Sequence, residues 1–516
     1  MIQTLQEQYL EVVSTNQLYI RNRDHWQYLL ESYMGGIDYA NGQHLTKYVN
    51  ETAGEYAARL RSTHLENHCQ SVVSTYMSFL FREEPHRDFD GLELDPMVED
   101  FLKDADLDGR SLNAFIKEVA VWSSVFGSCW ILCVKPNVGA ETKGDELALG
   151  VRPYVNLITP LTVSDWRWRR NPNGRYDLEY LKYIEEGNDT VSTIREWFTD
   201  SIHTYVVDHQ SKEVKEHIIE PNPLGTIPAI CAYSRKSPVR GVGVSDIADI
   251  ADAQKTIYNL TSEVEQSVRI NGHPALVKTA GSEASAGAGA IIQIEDNLDP
   301  GLKPYILGVS TDTDSIFTAI QHTVEAIDKM ANTGAIRSNI ASRMSGVAQQ
   351  QEFELLNAKL SEKAANLELV EEQIWQWFAY YQGALWNGKI EYPRSFNIKD
   401  VANDMDILLK AKQAATDPVV LRVIDGEILE TLGKEREYLP FIDPNPQPGR
   451  TYPEGDAIPD SLPAAYKDSS DASVPEGQNC ANCEYYKAGE QYCYKFDAPV
   501  RATWWCAVWE AKDIES

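Results

Sequence analysis

The sequence predicts an α+β protein of several domains that ends in a small cysteine-rich metal module. Apolar residues recur at helical spacing over much of the chain, whereas residues 150–235 alternate between apolar and polar. Four of the eight cysteines, Cys480, Cys483, Cys493 and Cys506, fall close to the C-terminus. The length of 516 residues itself predicts three or four structural units, at about 150 residues per domain.

Composition and charge exclude several classes of protein. With 43% hydrophobic residues the chain can bury a core, so wholesale disorder is excluded. No stretch approaches the ~18 apolar residues of a membrane helix, and the N-terminus lacks the features of a secretory signal. We therefore expect a chain kept in the cytoplasm, with no membrane partner. The net charge of −30 argues against a tight grip on DNA, but it is compatible with a polyanion passing a repelling surface.

The first half of the chain divides into a helical part and a hairpin part. Residues 54–81 have apolar side chains at helical spacing, and Pro85 ends that run. Residues 112–134 are typical of a buried helix that leads into a strand. A turn at residues 171–174 (Asn-Pro-Asn-Gly) predicts one β-hairpin, and residues 209–212 predict a second.

The second half is dominated by helices. A glycine-rich turn at 241–243 precedes a helix that ends at Gly272, and a second helix is expected from about Asp314 to Met330. A Ser/Gly-rich loop then leads into one amphipathic helix of about thirty-five residues. Such a helix is typical of a domain-crossing spine or half of a coiled coil. Because the chain has no second long heptad run, we favour the spine.

Beyond that helix the sequence predicts two short helices, split near Asp417-Pro418. Residues 443–478 are rich in Pro, Asp, Ser and Gly, which is typical of an exposed linker. The cysteine module follows this linker.

The sequence lacks the common catalytic motifs. It has no Gly-x-x-x-x-Gly-Lys-Ser/Thr phosphate loop, no His-Glu-x-x-His metal motif and no Gly-x-Ser-x-Gly nucleophile elbow. Gly241-Val242-Gly243 lacks the third glycine of a dinucleotide-binding turn. We therefore expect an architectural role and no enzyme activity.

The C-terminal cysteines predict a metal site. Four thiolates suit a tetrahedral zinc ion or a [4Fe–4S] cluster. Iron is favoured because one Cys-x-x-Cys pair is followed by two separate cysteines instead of a second pair. The surrounding aromatic residues would also exclude water from a cluster.

This module resembles the high-potential iron–sulfur proteins, which carry Cys-x-x-Cys with an aromatic residue, then Cys-x-x-Phe, then Gly-Trp-Cys-x-x-Trp. Here Trp504 replaces the glycine, and the first gap between cysteines is short. The resemblance implies that the four cysteines bind a [4Fe–4S] cluster. The aromatic shell that it implies consists of Tyr485, Phe496, Trp505 and Trp509. Zinc and unmetallated thiols remain the alternatives.

About residues 20–435 resemble the portal proteins of tailed bacteriophages. The match is carried by residues 241–247 (Gly-Val-Gly-Val-Ser-Asp-Ile), by two wing-like segments at 158–166 and 223–228, and by residues 345–348 (Ser-Gly-Val-Ala) at the start of the long helix. Polar and aromatic residues of the helix after the glycine turn also match, namely Gln254, Tyr258, Asn259 and Glu263. The order of these motifs makes the resemblance fairly specific.

The portal resemblance implies a division of the chain into the parts of a portal subunit. These parts are a wing (1–245), stem helix 1 (246–272), clip (273–310), stem helix 2 (311–333), tunnel loop (334–346), wing spine helix (347–387) and crown (388–445), followed here by a linker (446–478) and the cysteine module (479–516).

The same resemblance implies a dodecameric ring at the portal vertex of a virion, made in the host bacterial cytoplasm. Its implied partners are the major capsid protein, the terminase, the head-to-tail adaptor and double-stranded DNA bound without sequence specificity. Arg337 and Arg343 of the tunnel loop would contact DNA, although ordinary surface arginines are as well supported. An iron–sulfur electron-transfer or redox-sensing protein, and a zinc-stapled scaffold, are the alternative functions.

Overall fold

The computed structural model divides the chain into two compact units, residues 1–397 and 398–516. The structure describes residues 5–92, 95–136, 139, 142–272, 275–277, 299, 301, 305–307, 313–337, 346–394, 396, 401–415, 420–421, 424, 426, 428, 466–471, 473–475, 477–487, 491–493, 495–496, 498–509 and 511.

The N-terminal part of the first unit is helical. Its helices are α1 (Leu5–Val12), α2 (Gln17–Met34), α3 (Gly36–Asn41), α4 (Ala53–Ser62), α5 (His68–Leu80), α6 (Pro96–Lys103), α7 (Leu112–Phe126) and α8 (Lys143–Ala148). Local signals set their ends. The Thr52 side chain and Glu55 form a capping box on α4, and Ser111 caps α7, which stops at Gly127 with φ +88°.

Two antiparallel sheets follow the helices. Their strands, together with the early strand β1 of a separate two-stranded sheet, are β1 (His86–Asp88), β2 (Ser128–Val134), β3 (Tyr154–Ile158), β4 (Val163–Arg170), β5 (Tyr176–Gly187), β6 (Val191–Phe198), β7 (Ser201–Asp208), β8 (Glu213–Pro221) and β9 (Ala229–Tyr233). The larger sheet is a meander in the order β4-β5-β6-β7-β8, and the smaller one has the order β3-β2-β9. Both predicted hairpins are confirmed as the β4–β5 and β7–β8 pairs.

The remainder of the first unit holds the long helices. Its elements are α9 (Ala248–Gly272), β10 (Ala275–Val277), β11 (Tyr305–Leu307), α10 (Thr313–Ala331), α11 (Gly334–Arg337), α12 (Gly346–Tyr381) and β12 (Lys389–Glu391). The predicted spine helix is confirmed as the 36 residues of α12. β12 pairs with β1, and Tyr392 and Phe396 lie in the core of this unit. Residues 388–396, assigned to the crown from the sequence, therefore pack with the first unit.

The core of the first unit lies between the helices and the smaller sheet. Trp26 of α2, Trp130 of β2 and Trp375 of α12 are almost completely buried in it. The α12 helix places Leu356, Leu360 and neighbouring apolar residues in the same cluster. This helix therefore runs through the core as a spine.

The second unit contains α13 (Val401–Ala414) and short strands around the cysteines. The strands are β13 (Lys467–Asp468), β14 (Tyr486–Lys487), β15 (Tyr492–Cys493), β16 (Ala498–Pro499) and β17 (Trp504–Trp505). β13 pairs with β17, and β14-β15-β16 form a three-stranded sheet. Most of the predicted linker and clip, and the second short helix in large part, lie outside the described residues. Among the helices that are described, none combines the length and apolar character needed to span a bilayer.

Candidate functional site

The Gly-x-Gly segment before α9 is a backbone packing contact. Gly243 lies against Gly127, and a Cβ added at Gly243 would overlap the Gly127 carbonyl. The Gly243 amide also donates to Ser128 Oγ at 3.2 Å. Gly241 has φ +84° and lies under the Trp166 ring. The glycines therefore let the chain pass close to the end of α7 before α9 begins.

A buried ion cluster follows directly. The Asp246 carboxylate is 3% exposed and pairs with Lys363 of α12; it also accepts a 2.7 Å hydrogen bond from Ser234 Oγ. Lys363 donates to Ser234 and Ser124 at 2.6 and 3.1 Å. Burial alone would raise the pKa of Asp246, but Lys363 and Lys359 outweigh it and lower the pKa. This cluster ties the start of α9 to the spine helix and to α7.

The polar residues singled out on α9 anchor that helix in the N-terminal helices. Buried Gln254 accepts from the Cys69 amide at 2.9 Å and donates to the Ser32 carbonyl at 3.0 Å. Asn259 bonds the backbone at His44 and Thr46, and Glu263 accepts from the Tyr48 hydroxyl. These residues are structural anchors in this chain.

Helices α9 and α10 pack against each other as an antiparallel pair that is buried at one end only. The beginning of α9 is buried at Ile250 and Ala251, whereas Val268 near its end is 61% exposed. In α10 the order is reversed, because Phe317 near the start is 55% exposed and Ile327 near the end is buried. The far ends of both helices therefore project away from the core of the first unit.

Arg337, a predicted DNA contact, lies in α11 at the base of this pair. Its guanidinium is 3.1 Å from the Asp328 carboxylate and donates to His68 Nδ1 at 3.1 Å. Its side chain is only 14% exposed. Burial, and next the Arg337 charge, lower the pKa of His68. The structure thus gives Arg337 internal partners, while Arg343 lies outside the described residues.

The cysteine module is built on tight turns. A 3₁₀ turn begins at Cys480, ends at Asn482 and is followed directly by Cys483. The side chains of Asn479 and Asn482 each accept a hydrogen bond from the other residue's backbone amide. Cys493 lies in β15 opposite Tyr486, and Cys506 follows β17. These turns bring the four cysteines into one cluster of buried residues.

All four thiols are free and between 4% and 6% exposed. Burial, and next the thiols of Cys493, Cys506 and Cys483, raise the pKa of Cys480 to about 12. Burial is also the main reason that the pKa of Cys506 is raised. Cys480 and Cys506, whose pKa values are raised, stay neutral unless a cation compensates the charge of the thiolates.

The aromatic shell differs in part from the sequence prediction. Tyr485, Phe496 and Trp509 are partly buried against the cluster that contains the cysteines. Trp504 is 1% exposed within the cluster, whereas Trp505 donates to the Gln478 side chain at 2.9 Å. Adjacent residues of a strand point to opposite faces, so only one of the two tryptophans can face the thiols.

Tyr466 is not among the residues predicted from the sequence, and it precedes Cys480 by fourteen residues. Tyr466 is buried in the thiol cluster and packs edge-on to Phe496. Among the residues that the structure describes, its hydroxyl has no partner with full hydrogen-bond geometry, and burial and then the adjacent Cys493 thiol raise its pKa. No local signal marked this residue, because it precedes a Ser/Asp-rich turn that is typical of a linker.

The module has the donor atoms that a thiophilic metal uses, but the described side chains are not arranged as a coordination site. Four free, buried thiols are the donor set that zinc and iron–sulfur clusters use. Within the part of the chain that the structure describes, however, no group of three or more His, Cys, Asp or Glu side chains is arranged to hold a metal ion. The thiols are therefore gathered in one cluster without forming a finished coordination site.

Comparisons with known proteins give only distant likenesses. No protein-family profile matches the chain, and no curated protein matches it. Among solved structures it resembles a chain from the virion of a native gene transfer agent particle, with 12% identity, TM-score 0.42 and coverage of 69% of this chain and 89% of that one. A chain from the neck of the empty particle, computed with C6 symmetry, has 12% identity, TM-score 0.43 and coverage of 76% and 99%.

A third solved structure is the neck of the native gene transfer agent particle, computed with C12 symmetry. A chain in it has 13% identity and TM-score 0.39, covering 77% of this chain and 98% of that one. Likenesses at this distance assign the chain to no family.

Proposed function

We propose that this chain is a portal subunit, which forms a ring at a capsid vertex and conducts double-stranded DNA during packaging and ejection. The observation that carries the proposal is the antiparallel pair α9–α10, buried at its base and exposed at its far end. At 1.5 Å per residue these helices are about 37 and 28 Å long, enough to line a channel when repeated around an axis. Their order relative to the spine helix agrees with the order of parts implied by the sequence.

The anchoring of the pair supports a load-bearing role. Asp246–Lys363 at the start of α9 and Arg337–Asp328 after α10 are both ion pairs with little exposure. Breaking such a pair leaves a buried charge and costs about 3–5 kcal/mol. The helix pair is thus held rigidly at the end where it joins the first unit.

The charge of the chain supports a conduit that does not grip its cargo. DNA binding of appreciable strength requires Lys and Arg to neutralise phosphates. A chain of net charge −30 instead repels the backbone, which lets DNA slide. In this proposal the chain is a structural component, and a separate terminase ATPase supplies the energy for packaging. The head-to-tail adaptor and the major capsid protein are its other partners, and the dodecameric ring is part of the proposal.

Ring formation is tested with the purified full-length chain by mass photometry and negative-stain electron microscopy. We expect closed rings of about twelve subunits with a central channel. Phe317→Asp adds a charge to the exposed stem surface and should weaken the rings, whereas Leu385→Asp, on an 89% exposed site outside the stem, is the matched control. A wild-type chain that stays monomeric at every accessible concentration would refute the proposal.

For the C-terminal module we propose that Cys480, Cys483, Cys493 and Cys506 bind a [4Fe–4S] cluster, with zinc as the alternative. The bound metal would supply the positive charge that stabilises four buried thiolates. Trp504, Tyr466 and Tyr486 would keep water from it, because all three are buried beside the thiols. The main role proposed for the metal is structural, since so short a module buries too little apolar surface to fold alone.

The metal is identified by visible absorption of anaerobically purified protein, together with iron, acid-labile sulfide and zinc analysis. About four irons and four sulfides per chain would support the cluster. Reduction and reoxidation without loss of iron would favour the electron-transfer alternative. A colourless sample with one zinc per chain would favour the zinc-stapled scaffold, and a sample with neither metal would refute the site.

A further inference from the structure

A large aromatic groove lies beside the β4 edge of the five-stranded sheet. It encloses about 750 Å³ between the β4–β5 turn, β9 and one face of α12. Trp168 and Tyr176 lie on the sheet side, and Trp377 and Tyr380 on the helix side. Tyr380 is 51% exposed. Leu369, which lies about three helical turns earlier on α12, is 57% exposed. Large apolar side chains left open in a groove are typical of a docking surface.

The charge of the aromatic groove opposes that of the whole chain. Its lining carries the cations Arg175, Lys236 and Arg240, against one carboxylate, Asp177. The Arg240 guanidinium stacks on the Tyr176 ring at 3.8 Å, so it is held over the groove. In a protein of net charge −30 this local excess of cations favours an acidic, partly apolar occupant.

The opposite edge of the same sheet has the complementary chemistry. Strand β8 carries Glu213, Glu216 and Glu220 against one lysine, Lys215. Residues 215–221 are exposed along the whole edge. They include Ile218 and Ile219, which are 45% and 59% exposed. Among the described residues, β8 pairs with β7 alone, so the backbone groups of its outer side have no strand partner.

We propose that the aromatic groove of one subunit receives strand β8 of the next subunit. A ring requires two different surfaces on each subunit that meet head to tail. The groove lies at the β4–β5 hairpin, whereas β8 is the far edge of the same five-stranded sheet, about 19 Å from β4 at ~4.8 Å per strand spacing. They are therefore separate surfaces that one subunit can engage at the same time.

Each part of the strand has a counterpart in the groove. Glu216 and Glu220 would meet Lys236 and Arg240, while the isoleucines would cover the open aromatic side chains. This inference rests on the proposed ring and identifies the residues that close it. It requires no covalent step and no further ligand.

The test uses two full-length charge-reversal variants, Lys236→Glu/Arg240→Glu in the groove and Glu216→Lys/Glu220→Lys in the strand. All four residues are exposed, so both variants should fold, which circular dichroism checks. Alone, each variant brings like charges together at every interface. The concentration for half-assembly should rise at least ~10-fold, as measured by mass photometry.

Mixing the two variants provides the decisive measurement. In an alternating ring the reversed groove meets the reversed strand, and the unchanged groove meets the unchanged strand, so assembly should return. Lys103→Glu and Glu99→Lys, which reverse an exposed surface pair elsewhere, are the matched controls and should leave assembly unchanged.

A cross-link gives a second readout. Chains carrying Gln376→Cys should join chains carrying Ile219→Cys through a short bis-maleimide linker, while neither chain joins itself. This inference alone would be overturned if the wild type forms rings and both variants also assemble normally. It would also be overturned if each variant fails to assemble alone and mixing does not restore assembly. A wild-type chain that forms no rings would overturn the proposed function and this inference together.

Discussion

At the scale of single residues, the Asp246–Lys363 pair determines how firmly α9 joins the spine. Lys363→Met leaves Asp246 buried beside Lys359, whose Nζ is 4.0 Å away, and Ser234. We expect a loss of about 3–5 kcal/mol in the free energy of unfolding. Lys103→Met removes an exposed pair and should lower the free energy of unfolding far less, because water screens the two charges. Urea denaturation compares the two, and equal effects would contradict the argument.

The lowered pKa of Asp246 fixes the pH dependence of this contribution. The stabilisation is fully present above the unfolded pKa near 3.8 and is lost as the pH falls through the lower folded pKa. Asp246→Asn should therefore be least stable relative to wild type at neutral pH, with the difference shrinking in strong acid. A stability difference between wild type and Asp246→Asn that grows on acidification would contradict the lowered pKa of Asp246.

Glycine 243 offers a second test at this scale. Gly243→Ala would push a methyl group into the Gly127 backbone, which no side-chain rotation can relieve. We expect a loss of about 1–3 kcal/mol or more. Gly54→Ala is the matched control, because Gly54 lies in α4 with open space around its Cα. That change should stabilise the protein by about 0.5–1 kcal/mol, and thermal unfolding distinguishes the two directions.

At the scale of elements, a variant of Arg337 at the junction after α10 can distinguish a structural role from a DNA-contacting role. Arg337→Gln removes the ion partner of Asp328, which is 4% exposed. We expect a clear fall in melting temperature from this buried unpaired charge. His322→Gln on the exposed side of α10, 75% exposed, is the control. An unchanged melting temperature with impaired DNA packaging would instead support the DNA contact.

The cysteine module is the second element with a separable role. Cys480→Ser should abolish metal binding and make the module sensitive to limited proteolysis while leaving rings intact, because the ring elements lie in the first unit. Cys69→Ser changes an equally buried cysteine outside the cluster and should retain the metal. Loss of rings in Cys480→Ser would refute the prediction that ring formation is independent of the cysteine module.

Local sequence patterns predicted the elements better than their contacts. The spine helix and the two hairpins follow from periodicity and turn residues, which act within a few positions of each other. Position 243 requires glycine because a Cβ there would meet the Gly127 backbone. Gly127 lies more than a hundred positions earlier, so no local pattern could reveal this requirement. The same holds for Tyr466, which reaches the thiols only through the β13–β17 pair.

At the scale of the whole molecule, the acidic charge predicts how assembled rings treat DNA. We expect no stable complex with a linear duplex in an electrophoretic mobility assay near physiological salt, because the net charge of −30 repels the phosphate backbone. A strongly basic DNA-binding protein serves as the positive control. A tight complex that weakens steeply with salt would contradict the sliding conduit.

The exposed edge of β8 has a consequence for the subunit before it assembles. A free strand edge is a template on which other chains can stack, and Ile218 and Ile219 add adhesive surface there. Three glutamates, a lysine and the terminal Pro221 on the same strand discourage such stacking. The charges that we propose to direct one subunit into the next therefore also act as gatekeepers, which protect a newly made chain from aggregation before it assembles.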